Sequence, residues 1–580
     1  MKFSEVWDLS TLFSNGSQSS DFQRRWKETA HNLKTLKTAI EEKSFQASLP
    51  LSQEIDKELS EMEAFVECLL AQDVSDQKAF ALMNQTRTLL TSFSNLLLEL
   101  DASIGLLSKE GFEELLSKFP NLTFHINEKR KKAQKKLNFE TEGLINDLAK
   151  NGYHGWSDIY SAAVGEMTFP FQGETFFFGQ MENHLASPNR ERRKEAFSSI
   201  QSGFSSRASS FAQILNHLGG FRLEMYEKRG WENILMDPLD ENRMEEKTLD
   251  AMWSAIERFR PHLQTYLKCK SALLKTPSLN WYDLEAPLSS KPKEISYQEA
   301  AEMILKLFAK FSPQLTDFSK RALDQCWIEA EDREGKRPGG FCVRLPISKE
   351  SRIFMTFSQT MTNLFTLAHE LGHAFHNEVL FPLPDLDQKP PMALAETAST
   401  MAEMIVTQGA IQNETDPEQQ LSLLDDHLSR TTSYLMNIQA RFLFEKEFYA
   451  ARKKGFVSHT HLSNLMEVAQ KTAYGESLEI YYPLFWAAKM HFYFTNVPFY
   501  NFPYTFGYLF SLGIYTIAME RSDFESTYIA LLKDTGRMMV EDLAMKHLRT
   551  DLTSPKFWEK GLAVLEKDIN TYQDLSKQVK

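Results

Sequence analysis

His369 and His373 stand four residues apart, and Glu370 follows the first of them, in the stretch His369-Glu370-Leu371-Gly372-His373. On a helix, residues at i and i+4 share one face, so two imidazoles at this spacing can grip a single ion. A catalytic zinc takes three protein ligands and keeps a fourth position for water. A glutamate beside the first ligand can take a proton from that water and later give it to a leaving amine. The residue types and their spacing are those of the H-E-x-x-H arrangement used in metal-dependent hydrolysis.

Two imidazoles need a third ligand. The tenth residue after His369 is Val379, so a third histidine of the extended H-E-x-x-H-x-x-G-x-x-H kind is absent. The better candidate follows Pro390-Pro391, where proline suits the start of a second helix. There Glu396 is a carboxylate among small residues, in Met392-Ala393-Leu394-Ala395-Glu396-Thr397-Ala398-Ser399. Small neighbours let two helices approach closely around an ion. Glu403, seven residues on, falls on roughly the same face. It either orients a histidine or is a plain surface or salt-bridging carboxylate. His376 either borders the substrate or is a polar residue at the rim.

Amide hydrolysis also needs a donor for the oxyanion that develops, and Tyr O–H and His N–H are suitable. His491 begins an aromatic stretch, and Tyr500, Tyr504 and Tyr508 recur at spacing four beyond it. The tyrosines serve either as such donors or as aromatic packing.

The elements that must position these groups are mostly helices. Leu364, Leu367, Leu371 and Phe375 form an apolar stripe along the motif helix, apart from the histidines. Ahead of it, Phe341-Cys342-Val343-Arg344-Leu345 and Ile353-Phe354-Met355-Thr356-Phe357 flank a turn and read as a β-hairpin. Such a strand can pair with an extended peptide. Gly339-Gly340 reads as a turn. Helical spacing dominates the first part, as in Leu89, Leu90, Phe93, Leu96, Leu97 and Leu100. Glycines at 152, 155, 165 and 173 read as loops and short extended pieces. A soft boundary near 195 divides an N-terminal helical domain, 1–195, from a catalytic domain, 196–580. The basic run Glu128 to Lys136 reads as a solvated helix face.

The 580 residues carry a net charge of -13, with 78 acidic and 65 basic side chains. That balance argues against a nucleic-acid partner, which needs a basic surface. The four cysteines, Cys68, Cys269, Cys326 and Cys342, form no CxxC pair and no Cys/His cluster, which points to a reducing compartment. The N-terminus has acidic residues where a signal peptide needs an apolar core. The apolar stretch from His491 to Ala518 is broken by Asn496, Pro498, Asn501, Pro503 and Gly507, so no membrane span is expected and the cytoplasm is the default location.

Thr366-Leu367-Ala368-His369-Glu370-Leu371-Gly372-His373-Ala374-Phe375-His376, with Ala395-Glu396-Thr397-Ala398-Ser399 after it, resembles the thimet oligopeptidase family, oligoendopeptidase F branch. Trp7-Asp8-Leu9-Ser10-Thr11-Leu12-Phe13 and the tyrosine segment are similar to that branch too. The resemblance implies a mainly α, two-lobed, zincin-like metallopeptidase. Its small β-sheet would lie beside the active-site helix, with a deep central channel between the lobes. It implies one Zn2+ per chain, held by His369, His373 and Glu396, with Glu370 as general base. It implies cleavage of internal bonds in short peptides. His491 matches the family's histidine, and Tyr500 and Tyr504 become the oxyanion candidates with Tyr508 in reserve. Phe502 and Pro503 stand where that branch has more polar residues, so the register leaves open which tyrosine acts.

Overall fold

The computed structural model describes residues 2–289, 293–521 and 524–579. The chain is mainly helical, with two small sheets among the described residues. Helices Ser20–Glu41, Phe45–Gln72 and Gln77–Gly105 open it. Ser19 and Asp76 cap two of them, each accepting a backbone N–H of the first turn. Leu89, Phe93, Leu96 and Leu100 are all buried, as their three-and-four spacing predicts.

Among the described residues, burial separates two apolar cores. One draws on residues from Trp7 to Ile126 and on Phe354. The other draws on residues from Ala149 to Leu575.

The loops expected at 150–165 are helical instead: a π-turn at Lys150–His154 leads into helix Gly155–Gly165. A Cβ on Gly152 or Gly165 would meet nothing within 4 Å, so neither glycine marks a tight spot. Buried Tyr153 and Tyr160 decide the conformation there, because burying them outweighs the low helix propensity of glycine. The extended pieces come next, as strands β1, Thr168–Phe171, and β2, Glu174–Phe177. Gln172 and Gly173, both at positive φ, make the turn between them.

The basic run bridges elements. Lys129 pairs with Asp101, Lys132 with Glu241 and Lys135 with Asp240. Glu128 receives Arg243.

Three further strands, β3 (Ile328–Glu329), β4 (Phe341–Leu345) and β5 (Glu350–Phe354), form one sheet in the order β3-β5-β4. β3 runs parallel to β5, while β4 and β5 are the expected hairpin, with Phe341 opposite Phe354 and Leu345 opposite Glu350. β4 is therefore an edge strand. Its Phe341 and Val343 pack on the N-terminal core. Gly339, at φ +100, turns the chain into it.

Thr360 caps the helix that follows, Met361–Leu380, the motif helix. After Pro391 comes Met392–Asn413, the ligand helix. Phe502–Met519, the tyrosine helix, packs on the ligand helix and on Pro555–Gln578. No helix among the described residues is long and apolar enough to cross a membrane.

Candidate metal centre

The motif helix buries Leu364, Leu367, Leu371 and Phe375 and turns His369 and His373 the other way. Their rings stand 4.8 Å apart and nearly perpendicular. The ligand helix brings Glu396 against both. Its Oε2 lies 3.3 Å from His369 Nε2 and 3.4 Å from His373 Nε2.

This approach depends on glycine. A Cβ on Gly372 would stand 2.6 Å from the Ala398 carbonyl oxygen, so only glycine lets the two helices meet here. From the other side, Gly507 of the tyrosine helix faces Glu396, whose Cβ would lie 3.0 Å from any Cβ at 507.

The three donor atoms lie within 4.8 Å of one another. Ligands about 2.0–2.1 Å from a tetrahedral ion stand roughly 3.3–3.4 Å apart, so the separations on Glu396 fit zinc. The electrostatics fit a cation as well. Burial opposes ionisation of Glu396, but hydrogen bonds from the two imidazoles prevail and hold its pKa far below the usual range. Burial likewise disfavours a charged His369, yet Glu396 and Glu403 pull its pKa well up. Positive charge at this point is what the cluster is built to receive.

Behind the ligands, His369 Nδ1 is 3.2 Å from Glu403 Oε2. Arg430 Nε, from helix Pro417–Thr432, is 3.3 Å from the other oxygen of Glu403. Its guanidinium lies over the Phe365 ring, 4.9 Å from the centroid. Glu403 thus joins both of its readings, touching a histidine and pairing with a cation. Arg430 was not foreseen, because its pairing with Glu403 crosses 27 residues and leaves no local pattern.

Glu370 is buried, and its Oε2 has no hydrogen-bond partner among the described residues. Burial raises its pKa, against the pull of His373 and His369. His369, Glu370, His373 and Glu396 line one cavity of about 450 Å³, with Gly340, Cys342 and Arg344 of the hairpin side. A carboxylate lining the same space as three converging ligand candidates is placed to handle a proton of water.

His376 lies elsewhere. It is buried, with Nε2 2.9 Å from Thr535 Oγ1, and ties the motif helix to its neighbour.

The aromatic segment forms a second group. The Tyr500 and Tyr504 hydroxyls are 3.0 Å apart. The His491 and Tyr500 rings are 4.9 Å apart. The Tyr504 phenol is pushed well up by burial, then by Tyr500 and by the Glu396 charge, and so keeps its proton. Burial, with Lys489 and Arg441 nearby, pushes His491 down to about 4. Asn501 Oδ1 accepts from Arg441 Nη1 at 2.8 Å and lies 2.8 Å from His491 Nδ1. An amide oxygen only accepts, so this shorter contact favours the proton on Nδ1 over the 3.4 Å approach of Arg441 Nη1, and leaves Nε2 as an acceptor. Tyr508 is buried, stacked on Tyr434 and hydrogen-bonded to Thr431 at 2.7 Å.

A His–His–Glu cluster with a free carboxylate beside it, carried on packed helices, is the layout of a metal-dependent hydrolase. Over residues 183–564 the chain matches peptidase family M3, and it belongs to that family. Residues 104–169 match the segment described as Oligopeptidase F.

Among curated relatives, the chain is 26% identical over 415 residues to the chromosomal oligoendopeptidase F of Lactococcus lactis subsp. cremoris, covering 68% of this chain and 66% of that one. It is 25% identical to oligopeptidase PepF of Bacillus subtilis over 69% of this chain and 60% of that one. With the group B oligopeptidase PepB of Streptococcus agalactiae it shares 23% identity over 87% and 85%. The matches reach 55% to 66% of the length of the first three curated relatives. In fold, the chain is similar to a crystal structure from Chlamydophila abortus, with a TM-score of 0.84, 19% identity and 98% of each chain covered. It is also similar to oligoendopeptidase-F from Enterococcus faecium, with a TM-score of 0.71, 19% identity and 96% and 99% covered. These relatives fall with the oligoendopeptidase F group; thimet oligopeptidase is another branch of the same family.

Proposed function

We propose that this chain is a zinc-dependent oligoendopeptidase that hydrolyses internal bonds of short peptides. The observation that carries this reading is the convergence of His369, His373 and Glu396 on one point, with Glu370 lining the same cavity. When bound by His369, His373 and Glu396, zinc would supply Lewis acidity for the scissile carbonyl and for water.

Glu370 takes the proton of the attacking water on its carboxylate and passes it to the leaving amine. The raised pKa of Glu370 suits both halves of that exchange. Tyr504, with Tyr500 hydrogen-bonded to it, donates O–H toward the oxyanion. His491 stays neutral and offers Nε2 as an acceptor for a peptide N–H, with Asn501 fixing its ring. The edge strand β4, beside the cavity, supports pairing with an extended peptide backbone. The chain's four cysteines form no disulfide among the described residues, which accords with a reducing, cytoplasmic setting.

The test is metal analysis combined with turnover of quenched fluorescent peptides. Glu370→Gln is expected to hold about one zinc per chain and to lose cleavage. A Glu370→Gln protein as active as the parent refutes the assignment.

A further inference from the structure

Side chains alternate along a strand. On β4, Phe341 and Val343 pack into the N-terminal core, so Cys342 and Arg344 take the opposite face, on the wall of the metal-centre cavity. Among the described residues lining that cavity, Arg344 is the one lysine or arginine.

A charge count gives this cation a meaning. A divalent ion held by two neutral imidazoles and one carboxylate leaves one net positive charge, which the Glu370 carboxylate balances. Arg344 is then surplus. Its neighbours neutralise it only in part, because the Asp56–Asp385 pair beside it is shared with Lys389. Nη1 donates to the uncharged Gln388 Oε1 at 2.6 Å. Nη2 is 3.8 Å from Asp385 Oδ1, beyond hydrogen-bonding distance. Burial and the adjacent Asp56 raise the Asp385 carboxyl while Asp56 is lowered, so the two carboxyls together hold less than two negative charges. Asp56 is itself engaged with Lys389.

We propose that Arg344, steadied by Gln388, is a carboxylate-binding subsite of the cleft that recognises a carboxylate of the peptide substrate. The proposal rests on the oligopeptidase reading above. A planar guanidinium receives a carboxylate through two parallel N–H bonds, and anchoring one end of an extended chain fixes its register along the strand. The carboxylate has two sources, the free C-terminus or an Asp or Glu side chain. A C-terminal anchor would by itself favour short peptides.

The test uses the zinc-loaded full chain and a quenched fluorescent peptide in matched pairs. One pair is free acid against C-terminal amide. The others exchange Asp or Glu for Asn or Gln on either side of the cleaved bond. The parent is expected to favour the carboxylate member of one pair by about tenfold in kcat/KM, mostly through KM, the size of one charged contact. In Arg344→Met or Arg344→Gln that ratio is expected to fall to near one, and Arg344→Lys is expected to keep part of it. Whichever pair shows the effect identifies the source. A parent without preference in any pair overturns the proposal, and so does a preference that survives in both neutral variants. Either result leaves cleavage itself intact. A zinc-loaded parent that cuts no peptide would instead sink the oligopeptidase reading.

Discussion

A Cβ at Gly372 would sit 2.6 Å from the carbonyl oxygen of Ala398 and 2.6 Å from the Cα of Ser399. The motif helix and the ligand helix therefore touch backbone to backbone, within a turn of every metal-ligand candidate. Gly372→Ala must push them apart. We expect a loss of about 1–3 kcal/mol in stability, the usual cost of overpacking, and a disproportionate loss of zinc. Thermal melts and competition with a chelator measure the two. A variant that binds zinc as tightly as the parent would show that the helix contact does not set the site.

Arg430 reaches the centre only through Glu403, which touches His369. Removing a group that orients a ligand usually weakens metal binding roughly 10–100-fold. Arg430→Met is expected to do this, with Arg430→Lys recovering part. The informative readout is the rise in melting temperature on adding zinc. A purely structural role would lower the ion-free melt and leave that rise unchanged.

Tyr504 and Tyr508 sit one turn apart on the same helix but face different surroundings. Tyr504 pairs with Tyr500 and feels Glu396, whereas Tyr508 is held by Thr431 and Tyr434. Loss of an oxyanion donor costs about 10²–10³ in kcat. We expect Tyr504→Phe to show a fall of that order with KM little changed. Tyr508→Phe is expected to cost stability and to leave kcat nearly intact. Steady-state kinetics on one peptide decide; the reverse pattern would exchange the two roles.

Glu445 lies buried, accepting the Phe499 N–H at 3.0 Å. Burial raises its pKa from 4.5 to about 7, against the pull of Arg222. A carboxyl raised on folding favours the native state while both states are protonated. That contribution is lost as pH rises from 4.5 through 7. Glu445→Gln keeps the acceptor oxygen and cannot ionise. Relative to the parent it is expected to gain about 3 kcal/mol between pH 4.5 and pH 8. Urea unfolding at the two pH values measures the gain. A constant difference between the proteins would mean Glu445 ionises normally.

Periodicity made the helices legible where one face is apolar. Leu89 to Leu100 and the motif helix fall where their spacing puts them, and the β4–β5 hairpin sits between its turn signals. The stretch 150–165 was misread because glycine is ambiguous. It breaks a helix in isolation but is tolerated where Tyr153 and Tyr160 are buried. The two-residue β3 went unseen because it is parallel to β5 and set by contacts far along the chain.

The sequence by itself determined the chemistry: two imidazoles one helical turn apart with a glutamate between them, and a carboxylate waiting on the next helix. Spacing along a helix is a local property, and a local property can be read from a string. The tertiary structure decided which distant groups complete the centre. It brought Arg430 to Glu403, turned Arg344 toward the cavity, and separated Tyr504 from Tyr508. Those pairings arise from helices and a strand packing against one another across tens of residues, and no local pattern encodes them.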